Sequence, residues 1–110
     1  MNQIYETIVK QIAGSEKAHE QATESIRDQC LKQAKGKADT YADCAERYWK
    51  KLEKESRLFS LKTEFELKKA QECLSKGSDQ KTFEGCRDNA TKAIDSHVKS
   101  YLEVLSKIAS

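Results

Sequence analysis

The sequence predicts an all-α protein: an antiparallel, up-down-up three-helix bundle with spectrin-like, coiled-coil packing and a disulfide clamp at each inter-helix turn. Three observations carry that expectation. The 110 residues include no proline and only four glycines, so little interrupts a helix. Apolar and small residues recur at steps of three and four through three long stretches, the period of one helical face. Lys-Gly occurs twice, at Lys35-Gly36 and Lys76-Gly77, with a cysteine on either side each time. Length and composition fit a single domain over 1–110, near the size at which one core folds but gains from staples.

The first helix is expected over about 3–35. Its stripe runs Ile4, Ile8, Ile12, Ser15, His19, Ala22, Ile26 and Cys30, with Asn2 as N-cap and Gly36 as the left-handed residue past the end. Gly14 is its weak point, costing about 1 kcal/mol relative to alanine. The second helix is expected over about 39–76, capped by Asp39 or Thr40 and closed by Gly77. Its stripe is Tyr41, Ala45, Tyr48, Leu52, Ser56, Phe59, Thr63, Leu67, Ala70 and Leu74. Leu58, Leu61 and Phe65 widen the apolar face, so this helix is expected to touch both neighbours and to be the most buried. The third helix, over about 80–109, follows Ser78 or Asp79 and carries Phe83, Cys86, Ala90, Ile94, His97, Tyr101, Leu105 and Ile108, broadened by Val98 and Leu102. Connections of a few residues make consecutive helices antiparallel.

Helix geometry then decides how the cysteines pair. Four cysteines allow three connectivities. Cys44 and Cys73 lie roughly 29 residues apart on one continuous helix, about 43 Å at 1.5 Å per residue, whereas a disulfide needs Cα atoms within about 7 Å. That excludes Cys44 with Cys73, and Cys30 with Cys86. Crosswise pairing fails because Cys30 and Cys44 sit at one end and Cys73 and Cys86 at the other. Cys30–Cys44 and Cys73–Cys86 remain, each flanking one turn. The plain alternative is four free thiols filling a core in a reducing compartment. Two equivalent pairs placed about two turns favour oxidation. The same separation rules out a four-cysteine zinc site, and no metal site or other cofactor is expected.

Two histidines offer the one chemistry-bearing alternative. His19 and His97 fall at similar heights, with Ser15 and Ser56, so a polar layer could cross the bundle. Such a layer sets helix register in the plain reading and holds a metal or small ligand in the sharper one. No histidine or glutamate pair at i,i+3 or i,i+4 presents two ligands from one helix, which favours the plain reading. Trp49, beside Ala45 and Leu52, covers the core edge or anchors a partner.

Charge and composition exclude several functions. Twenty basic and eighteen acidic side chains leave a net charge of +2 with the signs interspersed, so no strong field draws nucleic acid. No run approaches the roughly 20 apolar residues of a membrane span. Met1 to Gly14 lacks the pattern of a secretory signal, so either no leader is used or one has been removed ahead of Met1. No set of residues fills catalytic roles, and an enzyme is not expected.

Paired cysteines on helices, over about residues 30–86, resemble the twin-cysteine proteins of the mitochondrial intermembrane space. Those proteins place both cysteines of a pair on one helix at closer spacing, whereas here a turn separates them. The resemblance implies an accessory subunit or assembly factor in an oxidising compartment reached without a cleaved leader. The alternatives are a secreted, periplasmic or cell-surface recognition module, and a carrier built on the His19/His97 layer. The expected partner is another protein, or a second copy of this chain.

Overall fold

The computed structural model describes residues 2–109. Three helices follow one another: α1 (Asn2–Ala34), α2 (Ala38–Leu74) and α3 (Gln80–Ala109). All three pack against one another, in a bundle measuring 63 × 19 × 17 Å. Among the described residues there is no strand. Cys30–Cys44 joins the top of α1 to α2 with Cα atoms 5.6 Å apart, and Cys73–Cys86 joins the bottom of α2 to α3 at 5.7 Å. The predicted pairing and the bundle are both present.

The turns differ in how they stop a helix. After Ala34, Lys35 (φ 49°) and Gly36 (φ 83°) are both left-handed. Gly36 therefore fills the role expected of it, since a side chain there would be strained. α2 then begins at Ala38, one residue before the expected caps. Lys37 is its N-cap residue, with no side-chain capping bond, and Asp39 lies in the first turn, where its charge favours the helix dipole. The cap expected at Asn2 lies outside the described side chains.

The lower turn needs no left-handed residue. α2 ends at Leu74, and Ser75 stays right-handed with its N–H donating to the Gln71 carbonyl. Gly77, expected to close α2, follows its last residue by three and is not left-handed. A Cβ there would come within 3.0 Å of the Thr82 hydroxyl, so the glycine permits a close approach to the next helix. Asp79 caps α3 as expected, its Oδ1 accepting the Thr82 N–H at 3.2 Å. Hydrogen bonding from Thr82, through its hydroxyl and then its backbone, holds the Asp79 carboxyl below its usual pKa.

The core divides into two clusters, one beneath each disulfide. The upper one joins Ala22, Ile26, Cys30, Cys44, Ala45, Leu52, Tyr101 and Leu105. The lower one joins Ile4, Ile8, Ala70, Cys86, Ala90 and Ile94. Buried polar residues Ser15, Thr63 and Glu66 lie in the stretches between them. Two expectations about α2 fail here. It is the longest helix, but α1 contributes as much to the core, through Ile4, Ile8, Ala22, Ile26, Cys30 and Ala34. Leu58, Leu61 and Phe65 do not widen a buried face: they are 39%, 53% and 59% exposed. Their row points away from the three-helix axis, which the neighbouring stripe already occupies. Leu102, expected to broaden the α3 stripe, is also exposed.

Candidate functional site

The polar middle of the bundle is built on the antiparallel register of α2 and α3. That register is fixed by the Cys73–Cys86 bridge and by Phe59 stacked on Tyr101, with ring centroids 4.5 Å apart. Glu66 and His97 fall between these points, offset by about one turn. Helical side chains lean toward their own N-terminus, so on antiparallel helices the two lean toward each other. His97 Nε2 meets Glu66 Oε2 at 2.9 Å, with the nitrogen as donor to the carboxylate. Lys69 Nζ lies 3.5 Å from the other oxygen, Oε1. Glu66 is buried (5% exposed), and burying a carboxylate is costly unless its oxygens are satisfied. The pair and the lysine provide that satisfaction and fix the register of α2 against α3.

Glu66 was not visible in the α2 stripe as read from Leu67 and Leu74. The signal was present, because Phe59, Thr63, Glu66, Ala70 and Cys73 step by four, three, four and three. The acidic residue sits on the seam and the leucines beside it. Thr63 hides its hydroxyl by donating to the Phe59 carbonyl at 3.0 Å. Gln11 of α1 joins the polar region from the third side, donating Nε2 to the Thr91 carbonyl at 2.8 Å while its buried Oε1 has no partner.

The expected layer of His19, His97, Ser15 and Ser56 is divided between two places. Ser15, Ser56 and His19 line one opening between α1 and α2. His97 lines a small recess beside Glu55 and Lys62 on α2. Phe59 and Tyr101 line both, and no described hydrogen bond links the two histidines. Ser15 donates to the Ile12 carbonyl of its own helix at 2.6 Å. Among the described residues no group of three histidine, cysteine or acidic side chains is placed to hold a metal. All four cysteines are bridged.

Trp49 lies half-buried against the upper cluster, with the Arg27 guanidinium 5.7 Å from its ring centroid. Below it, α1 and α2 are the least closely packed pair of helices. Small side chains explain the gap: Ser15 and Thr23 on α1 face Ser56 and Ser60 on α2. The clamp that ties these two helices is at the top only. Among the described residues no helix is long and apolar enough to cross a membrane. Comparison with protein families, curated proteins and solved structures gives no match to this chain.

Proposed function

We propose that the protein acts without catalysis, by contact with a partner protein, as a disulfide-braced accessory subunit or assembly factor in an oxidising compartment. The observation that carries this is the exposed row of Leu58, Leu61 and Phe65 on α2. Its steps of three and four make one seam on a helix, and α2 is the helix clamped at both ends. A rigid apolar seam lowers the ordering cost of binding. Lys54 and Lys62 border the seam against Glu55, while Lys68 and Lys69 beside it are paired with Glu64 and Glu66, so the rim is basic by a small margin. That rim suits an amphipathic partner helix whose apolar face is flanked by acidic residues. Lys69 Nζ already lies 5.4 Å from the Phe65 ring centroid.

The two bridges support an oxidising setting, since structural disulfides persist where thiols are not kept reduced. A secreted, periplasmic or cell-surface recognition module would use the same surface, and fractionation of the oxidised protein separates these settings. Native electrophoresis of extracts from its own cells tests the contact. Wild-type protein is expected in a species larger than the 12.5 kDa chain, and Leu61→Glu/Phe65→Glu is expected to release it with helicity unchanged. Light scattering of the purified protein separates a second copy from a different partner. Monomeric wild-type protein in extracts would refute the proposal.

A further inference from the structure

We infer that the opening between α1 and α2 is a binding groove for an elongated amphipathic anion, an alkyl chain ending in a carboxylate. Two voids of about 650 and 440 Å³ share His19, Ser56 and Ser60 as lining, so they form one channel along the seam. Each lies within the roughly 300–1,000 Å³ of small-molecule sites. The floor is apolar: Leu52 under the upper void, Phe59 and Tyr101 under the lower. Both voids open to solvent along the seam, where Glu16, Glu20, Arg27, Glu53, Arg57 and Ser60 are exposed at the rim, so a ligand lies in a groove rather than an enclosed cavity.

The charges choose the ligand. Arg27 and Arg57 line the upper void from opposite helices. Among the described residues neither is paired with a carboxylate, and Arg27 spends its cation on the Trp49 ring. Glu53 is the one acidic residue lining that void, so positive charge is in excess there. Guanidinium groups bind carboxylates in a planar, two-bond geometry. The lower void carries Glu16 and Glu20 at its edge, which repel a second anion and set direction. Counted from the Cys30–Cys44 bridge, Arg57 lies about ten residues below Arg27 along the seam, roughly 15 Å at 1.5 Å per residue, so the carboxylate docks on Arg27 at the upper end and the alkyl chain runs down over Leu52 toward Phe59. This site is separate from the α2 seam of Leu58, Leu61 and Phe65, so either can fail without the other.

The chain has a single tryptophan, and it lines the groove. Oxidised protein is titrated with sodium dodecanoate below its micelle concentration, followed by calorimetry and by Trp49 emission. Saturable heat with a matching emission shift is expected. Arg27→Gln/Arg57→Gln should weaken binding at least tenfold, and Ser56→Leu, which fills the channel, should abolish it. Circular dichroism checks that both variants keep their helicity, and Ser60→Leu serves if Ser56→Leu misfolds. Dodecylammonium and phosphatidylcholine vesicles with added phosphatidylserine are the comparison arms. Equal binding of the cation, a response to vesicles alone, an affinity unchanged in the arginine variant, or heat without a Trp49 response would each overturn the inference.

Discussion

Removing one disulfide at a time tests the clamp reading most directly. Cys30–Cys44 spans 14 residues and Cys73–Cys86 spans 13. Loop-closure entropy of that size is worth about 3 kcal/mol for each bridge at 25 °C. Because loop cost varies only with the logarithm of length, Cys30→Ala/Cys44→Ala and Cys73→Ala/Cys86→Ala should be destabilised nearly equally. For a domain of this size, 3 kcal/mol lowers Tm by roughly 12–24 °C. The bridges stand at opposite ends of a 63 Å bundle, too far apart to share partners, so their losses should add. Their sum, about 6 kcal/mol, falls within the typical stability of a whole domain, about 5–15 kcal/mol. The variant lacking all four cysteines is then expected to be marginal or unfolded at 37 °C. Urea titration followed by circular dichroism at 222 nm measures each loss. Single-bridge variants losing less than about 1 kcal/mol, or a full variant as stable as either single one, would refute the entropic reasoning.

Three other outcomes are expected. His97→Leu alone should cost about 1–3 kcal/mol by leaving the buried Glu66 without its closest partner, whereas His97→Leu/Glu66→Leu should cost less than either single change; a urea double-mutant cycle reads this. Gly36→Ala should destabilise by about 1–2 kcal/mol because its φ is positive. Gly14→Ala, on an open helical surface, should stabilise by about 0.5–1 kcal/mol, so thermal melts should show opposite signs. Asp79→Ala should lower Tm at neutral pH. Its carboxyl pKa is lowered by the Thr82 hydrogen bonds, so its contribution is present above the unfolded pKa and is lost as pH falls through the folded value. Melts repeated down an acid series should bring variant and wild type together.

The architecture was legible because helical period and cysteine geometry are local constraints. The stripe of Ile4, Ile8, Ala22, Ile26 and Cys30 is buried as its spacing requires, and a long α2 leaves one pairing of cysteines. What escaped depends on which of two adjacent rows faces inward. Leu58, Leu61 and Phe65 compete with Phe59, Thr63 and Glu66 for the inner face of α2, and the row holding a glutamate is the buried one. Hydropathy alone favours the other row. The decision comes from across the interface, where His97 on α3 meets Glu66. Gly77 marks the end of α2, but the reason for a glycine there lies in proximity to Thr82 on the next helix, which no local pattern shows.

The placement of the two bridges also sets how the chain bears tension. Pulled from its ends, the chain carries force along α1, across one sulfur pair to α2, and across the other to α3. Neither turn is loaded. Reduction would put both turns into the load path, releasing spans of 14 and 13 residues. At about 3.4 Å per extended residue, less Cα separations of 5.6 and 5.7 Å, the slack is about 80 Å. The oxidised protein is therefore a strap of fixed maximum length whose reach is set by the redox state of two bonds.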